Sequence, residues 1–206
     1  MITRNLSDLL TDLQNAVNGE DISIQALLEA FHERGFGFFL FLFALPSALP
    51  IPGLGLSTIM ALPLILLTIQ QALGRKTIWV PKKWHHKKIS SHKIDNVIKK
   101  SRPWVRRIEY LIRPRLSYIT QGVFSHLIGI SGFIMALALA LPIPFTNTVP
   151  AVGIAIMAIG VLMRDGFAVI TGAIIGSIWV ILLVSFVIIY GPEGFDMIKE
   201  FIKGLV

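Results

Sequence analysis

The sequence has no cysteine and little charge. None of its 206 residues is a cysteine, which excludes a disulfide framework and any thiolate metal site. Charged residues make up 15% of the chain, against about a quarter in a typical soluble domain. The first 34 residues also lack the basic start and early apolar run of a cleavable signal peptide, so we expect the first long apolar segment to direct insertion.

Charged side chains are missing entirely from three long stretches. Residues 35–74, 116–163 and 166–192 contain no Asp, Glu, Lys or Arg, which leaves uncharged runs of 40, 48 and 27 residues. One membrane crossing takes roughly 20 apolar residues, so the first two runs are each long enough for two passes and the third for one. We therefore expect an integral membrane protein and not a soluble helical bundle.

The two longest uncharged stretches carry the same proline motif. Leu-Pro-Ile-Pro at 49–52 returns at 141–144, and at this spacing of 92 residues six further pairs are identical. The pairs are Gly37 and Gly129, Phe41 and Phe133, Ala44 and Ala136, Leu45 and Leu137, Ala48 and Ala140, and Gly74 and Gly166. Aligned proline breaks in matching apolar segments indicate a duplicated membrane unit, and in transporters such breaks often mark the binding site.

These patterns predict an all-α polytopic membrane protein. Two repeated proline-broken helical hairpins come first and a C-terminal transmembrane helix follows. Interfacial amphipathic helices complete the predicted fold. The hairpins either span the membrane or are re-entrant, and the repeats are either parallel or inverted. The expected parts of this single membrane domain are a polar segment 1–34, a first repeat 35–74, a basic linker 75–120, a second repeat 121–166, and a last transmembrane helix with a short tail, 167–206.

Proline and glycine set the expected ends of the helices. We predict helices over 35–49, 56–73, 121–141, 151–163 and 167–190, because proline removes a backbone donor and disfavours helix in the residue before it. Pro46 is expected to begin the first break and Pro150 to close the second. A short amphipathic helix over 22–33, with Ser23 as its N-cap, is predicted ahead of the first repeat.

Positive charge is concentrated between the two repeats. Residues 75–115, called here the basic segment, hold 14 Lys and Arg but only Asp95 and Glu109, a net charge of +12 against +7 for the whole chain. This excess predicts a cytoplasmic location and contact with anionic lipid head groups. An interfacial amphipathic helix is expected from Ser101 to Ile112. Nucleic acid is not an expected partner, because base-reading aromatics and a soluble domain are missing.

The proline corners and one charged pair are the first candidate sites. The corners would line a polar path between broken helices, or would be tight turns at the membrane surface. Arg164 and Asp165 stand alone between two uncharged runs; charges at membrane depth are usually functional, but this pair also fits a surface turn closed by Gly166. The candidate path residues are Pro50, Pro52, Pro142, Pro144, Asn147, Pro150, Arg164 and Asp165.

Two further groups have alternative interpretations. Glu109 and Arg113 have the i, i+4 spacing of a helical ion pair that would hold the bend at Pro114, while Arg113 and Arg115 would suit a lipid phosphate. Gly172 and Gly176 permit close helix approach, either within one subunit or in a homodimer. A metal site at His85, His86 and His92 is not expected, because the neighbouring lysines would repel a cation and no carboxylate lies at ligand spacing.

Several motifs in fixed order resemble the ExoD family of bacterial integral membrane proteins. The resemblance covers about residues 24 to 190. In the first half of the chain its motifs are the first Leu-Pro-Ile-Pro corner with Gly53 and Gly55, then Gln70 and Gly74 before Trp79-Val80-Pro81, and Glu109 with Arg113-Pro114-Arg115. In the second half they are the second Leu-Pro-Ile-Pro corner, Asn147, Pro150, Gly160 and Arg164-Asp165-Gly166. It implies an inner-membrane location and a link to exopolysaccharide production and, in some rhizobia, to invasion of the host plant. It implies no catalytic residue, ligand or transport activity.

The expected function is therefore non-enzymatic and needs no cofactor. The chain shows no nucleophile elbow, phosphate-binding glycine loop, HExxH motif or paired carboxylates. We expect it to move or position an anionic or lipid-linked envelope intermediate. The alternatives are an accessory scaffold that binds polysaccharide synthesis machinery, and a membrane enzyme acting on a lipid-linked sugar, for which Asp165, Glu109 and His126 are the candidate residues.

Overall fold

The fold is all-helical. The computed structural model describes residues 21–25, 34–48, 56–85, 87–92, 114–141 and 146–203, together with residues 7, 11, 14, 28, 95 and 99. The helices within these ranges are α1 Gly35–Ala48, α2 Leu56–Ala72, the short α3 Lys82–His85, α4 Val123–Ala140, α5 Thr148–Met163 and α6 Gly166–Lys203. A 3₁₀ turn, Ser117–Thr120, precedes α4. The predicted helical class is confirmed.

A two-residue strand pair joins the N-terminal part to the basic segment. β1, Ile22–Ser23, pairs antiparallel with β2, Lys88–Ile89, and the Ile24 N–H extends the ladder by donating to Lys87 O at 3.0 Å. After β1, helical backbone begins at Ile24. The predicted start of an amphipathic helix at Ile22 is therefore wrong, because the backbone groups at 22 and 23 bond to a neighbouring strand.

Three proline and boundary predictions are corrected by the structure. Pro46 lies inside α1, and Pro150 lies in the first turn of α5. A proline is tolerated in a first turn because the N–H that it lacks has no intrahelical partner there. The predicted tail after residue 190 is also helical, since α6 continues to Lys203 across a break at Gly191, whose φ of 57° and ψ of −147° are not helical.

The two proposed repeats are called units here, the first made of α1 and α2 and the second of α4 and α5. Among these four helices, each packs mainly on a helix of the other unit. α2 packs mainly on α4, and α1 mainly on α5, so each proposed repeat contacts the other more than it contacts itself; α6 covers α5 and also touches α4. The shared core contains long aliphatic side chains that are fully buried, among them Leu40, Leu64, Met135, Leu139 and Ile154.

Two glycines let α1 approach α5, and α4 approach α2, closely. A Cβ on Gly129 of α4 would collide with the backbone nitrogen and Cα of Ala72 near the end of α2. A Cβ on Gly37 of α1 would lie 2.9 Å from the backbone nitrogen of Leu162 near the end of α5, and 2.8 Å from Ala158 O. The start of each first helix therefore meets the end of the other unit's second helix, and both pairs run antiparallel.

Each of the two units begins and ends at the same end of the bundle. Phe36 at the start of α1, Gln71 near the end of α2, His126 at the start of α4 and Val161 near the end of α5 all line one cavity. The starts of α2 and α5 lie at the opposite ends of their helices, about 25 Å away at 1.5 Å per residue. Within the described chain, α4 and the Gly166–Gly191 part of α6 are long and apolar enough to cross a membrane.

The second helix of each unit ends in the same hydrogen-bonded turn. After α2, Gly74 has a φ of +74°, and the Gly74 and Arg75 N–H groups donate to Gln71 O and Gln70 O at 2.9 and 3.1 Å. After α5, Arg164 has a φ of +56°, and the Arg164 and Asp165 N–H groups donate to Val161 O and Gly160 O at 3.4 and 2.8 Å. In backbone conformation, Gly74 therefore corresponds to Arg164, 90 residues on, and not to Gly166 as the sequence spacing predicts.

Candidate functional site

The Arg164–Asp165 pair forms a helix-to-helix corner. Asp165 is 5% exposed, and its Oδ1 accepts hydrogen bonds from the N–H groups of Phe167 at 2.9 Å and Ala168 at 3.3 Å. These are orphan donors of the first turn of α6, so the carboxylate acts as an N-cap. Arg164 is half-buried and takes the left-handed position that ends α5. The geometry thus gives this pair a structural role in the turn between α5 and α6.

The Gly172 and Gly176 face packs inside the chain. A Cβ on Gly172 would meet the backbone of Gly153 and Met157 in α5, and one on Gly176 would collide with the sulfur of Met135 in α4. Of the two interpretations of this motif, the intramolecular one therefore describes the structure, because α4 and α5 already cover the glycine face.

The remaining predicted site residues are spread over the molecule. Pro150 is fully buried in α5, and half-buried Asn147 precedes that helix, with its Nδ2 3.5 Å from Leu141 O. Arg115 is exposed, and its backbone oxygen accepts a 2.7 Å hydrogen bond from the Gly166 N–H. Pro50, Pro52, Pro142, Pro144, Glu109 and Arg113 lie outside the described residues, as does the predicted helix over 101–112.

A polar cavity at the shared end of the helices brings together residues that the sequence did not single out as a group. It encloses about 200 Å³ between the end of α2 and the start of α4, with Phe36 and Val161 as apolar walls. No aspartate or glutamate is among the described residues that line it. Its polar side chains are Gln71, Arg75, Lys76, Thr120, Gln121, Ser125 and His126.

His126 forms one wall of this end cavity. Its Nδ1 lies 2.8 Å from Ala72 O. Because a carbonyl oxygen only accepts hydrogen bonds, Nδ1 is the donor in this contact. A Cβ on Gly74 would collide with the imidazole ring, so the glycine both adopts the positive φ of the turn and leaves room for the histidine.

Gln71 places a buried amide in the same cavity. The residue is 1% exposed, and its Oε1 has no hydrogen-bond partner among the described residues. An unsatisfied buried polar group costs about 1–3 kcal/mol, so native structures leave few of them. The neighbouring Gln70 differs, because its Oε1 accepts a 2.6 Å hydrogen bond from the Trp79 N–H. Gln71 is therefore the lining residue that most needs a partner.

One sequence signal could have pointed to this cavity. Gln70 and Gln71 are the two amide side chains in the 40 uncharged residues of the first repeat, and Arg75 and Lys76 follow them after three intervening residues. His126 lies 50 residues beyond Lys76, so only the packing of α4 on α2 brings it there.

Comparisons with known proteins give the chain its family. Residues 6–185 match the family described as "Exopolysaccharide synthesis, ExoD". An uncharacterised protein of Synechocystis sp. is 33% identical over 189 residues, which cover 90% of this chain and 89% of that protein. Protein ExoD of Rhizobium meliloti is 30% identical over 174 residues, 82% of this chain and 72% of that protein. No solved structure matches. The chain therefore belongs to the ExoD family, as its ordered proline, glycine and arginine motifs predict.

Proposed function

We propose that this chain is a polytopic protein of the bacterial inner membrane that supports exopolysaccharide production by moving or positioning an anionic or lipid-linked envelope intermediate. The proposal is non-enzymatic, and the site that we assign to it is the end cavity. The observation that carries it is the combination of Arg75, Lys76 and a buried amide around a cavity whose described lining contains no acid.

Outward-facing aliphatic stripes support a membrane location. Exposed leucines and isoleucines recur every three or four residues along the helices: Ile59, Leu62, Leu66 and Ile69 on α2 with Leu73 just after it, and Leu127, Ile130, Ile134 and Leu137 on α4. In Gly166–Gly191 only 17% of the apolar window is buried. Soluble monomers rarely expose such continuous apolar surface, whereas lipid tails solvate it without cost.

The matched packing contacts support the idea that the two units are copies. Gly37 and Gly129 are 92 residues apart, and their backbone partners Leu162 and Ala72 are 90 apart. Each unit begins and ends at the same end of the bundle, which supports a parallel arrangement of the repeats. The first helices of the two units therefore correspond at a spacing of 92 residues and the second helices at a spacing of 90. The spacing of 90 also matches Gly74 with Arg164 in the turns that end the second helices.

Charge suggests which way the end cavity faces. The basic segment connects the end of α2 to the start of α4, and both of these helix ends line the cavity. Cytoplasmic loops carry the excess of Lys and Arg in membrane proteins, so the end cavity would open to the cytoplasm. An anionic intermediate made in the cytoplasm would meet it there.

The proposal is tested by removing the cavity cations. The host lacks its own copy of the gene and makes less exopolysaccharide. In this host, we expect the amount of exopolysaccharide restored by the double variant Arg75→Gln/Lys76→Gln to be several-fold lower than that restored by the wild type. The matched control is Lys82→Gln/Lys83→Gln, which removes the same charge from exposed positions in the same segment, outside the cavity. Equal rescue by both variants at equal membrane abundance would contradict a role for the cavity and leave the scaffold alternative.

A further inference from the structure

We propose that the end cavity recognises the head group of a phosphate ester that carries free hydroxyls. In this assignment, Arg75 and Lys76 bind the phosphate, and the Gln71 amide accepts a hydrogen bond from a hydroxyl. The inference rests on the proposed function, because it names the chemical class of the anionic intermediate held there.

The phosphate half of the assignment follows from the cations at the cavity mouth. Arg75 and Lys76 are both exposed, next to each other and directly after the turn at Gly74. A guanidinium offers a fork of donors to phosphate oxygens and an ammonium adds a point charge. Because no acid is among the described lining residues, nothing there competes for the two cations.

The hydroxyl half follows from the orphan oxygen of Gln71. A phosphate oxygen that carries no proton cannot donate to Oε1, so an anion alone would leave this acceptor unsatisfied. A ligand hydroxyl supplies the missing donor and removes a cost of about 1–3 kcal/mol. The imidazole ring of His126 and the hydroxyl of Ser125 offer further polar partners to a polyol in the same cavity.

The size of the cavity limits what it encloses. Its volume of about 200 Å³ is several times the roughly 30 Å³ that one water occupies, and is below the about 300–1,000 Å³ of sites that enclose drug-sized ligands. A head group fits these limits, and the rest of an amphiphilic ligand would lie outside. Leu73 and Trp79, both exposed beside the end of α2, offer apolar surface for a chain that leaves the mouth.

The same head-group chemistry occurs in a membrane lipid and in a soluble sugar or polyol phosphate. The test therefore uses the purified full-length chain in phosphatidylcholine nanodiscs with two matched pairs of probes. Phosphatidylglycerol is compared with phosphatidylmethanol, which has the same charge but no glycerol hydroxyls in its head group, and glycerol 3-phosphate is compared with propyl phosphate. Binding is measured by native mass spectrometry for the lipids and by calorimetry for the soluble esters.

We expect the wild type to prefer the hydroxylated member of at least one pair by about three- to tenfold, the amount that one net hydrogen bond provides. A preference within the lipid pair assigns a lipid head group, and one within the soluble pair assigns a free ester. Gln71→Met, which keeps side-chain length and removes the amide, should abolish the preference and retain anion binding. Circular dichroism melts check that this variant folds, and Gln71→Leu is the second variant.

The two proposals fail in different ways. Equal binding of both members of each pair by the wild type, or an unchanged preference in the folded Gln71 variants, would overturn the hydroxyl inference while anion binding stands. If Arg75→Gln/Lys76→Gln binds the anionic probes as well as Lys82→Gln/Lys83→Gln does, the cavity is not an anion site and the proposed function falls with it.

Discussion

At the scale of single residues, the clearest outcome concerns Asp165. A lone carboxylate between two uncharged runs suggests chemistry, yet its Oδ1 is engaged by two backbone N–H groups of α6. The helix cap explains why an acid is found where charge is otherwise absent, because the first N–H groups of a helix have no partner of their own. Arg164 beside it provides the left-handed turn that separates α5 from α6.

This assignment predicts different results for two substitutions at one position. Asp165→Ala should lower the free energy of unfolding by about 0.5–2 kcal/mol, because the N–H groups of α6 lose their acceptor, whereas Asp165→Asn should stay close to the wild type. Unfolding in detergent, followed by circular dichroism, measures both. Arg164→Gly is the control and should be neutral or stabilising, since glycine adopts a φ of +56° freely. A loss of exopolysaccharide rescue in a stable Asp165→Asn chain would show that the charge itself is needed.

The cavity residues show what sequence reasoning could and could not find. Arg75 and Lys76 belong to a basic segment whose charge is plain in the sequence, so an affinity for anions was predictable. The burial of Gln71 was not, because an amide near a helix end is usually exposed, and its depth depends on Gly129 bringing α4 against the backbone at Gln71 and Ala72. Asp165 was found for its charge, but its hydrogen bonds depend on local backbone geometry that spacing does not specify.

At the scale of helices, small residues decide which elements meet. Gly37 and Gly129 occupy matching positions in the first helix of each unit, and each lies against the backbone near the end of the other unit's second helix. Gly153 of α5 and Gly172 of α6 likewise each lie against the backbone of the other helix. In a membrane, helix association depends on such close packing, because lipid removes the hydrophobic driving force between helices.

We therefore predict matched losses from a matched pair of substitutions. Gly37→Ala and Gly129→Ala should each lower stability by roughly 1–3 kcal/mol, because the added Cβ would lie within 3.0 Å of backbone atoms that cannot rotate away. Ile130→Ala, at an exposed position beside Gly129, is the control and should change stability by less than about 0.5 kcal/mol. A large loss at one glycine and none at the other would contradict equivalent packing of the two units.

Helix positions were more predictable than their ends. The uncharged runs and the glycines beside them predicted α1, α2 and α4 to within two residues at each end. Pro46 and Pro150 are both predicted to lie in the breaks, but α1 continues past Pro46, as the predicted helix over 35–49 also does, and the first turn of α5 holds Pro150. The pairing of α2 with α4 and of α1 with α5 also had no sequence signal, since hydropathy marks which segments are apolar and not which faces meet.

At the scale of the whole molecule, the arrangement has one polar end and apolar sides. The end cavity and the ends of four helices lie together, while aliphatic stripes run along the outside of α2 and α4. This arrangement suits a membrane in which the polar end faces the side that holds the basic segment. The absence of cysteine makes it directly testable, because any introduced thiol is unique.

Single cysteines should report this orientation. With a membrane-impermeant maleimide, we expect cysteines at Lys76 and Gln121 to label from inverted vesicles, and cysteines at Thr58 and Asn147 to label from intact spheroplasts. A cysteine at Leu62, 66% exposed on the outside of α2, should react only with a lipid-soluble maleimide. Labelling of both ends from the same face would contradict full hairpins, and rapid aqueous labelling at Leu62 would contradict a lipid-facing stripe.

The position of α6 in the chain also affects how the protein is made. Eleven of the sixteen residues of α5 are buried, and α6 supplies the glycine face that covers one side of that helix. Translation delivers α6 after α5, so the closely packed surface around Gly153 and Gly160 waits without its partner until α6 has emerged. The interval between the emergence of α5 and the arrival of α6 is thus the period in which the nascent chain is most open to misassembly and to proteolytic quality control.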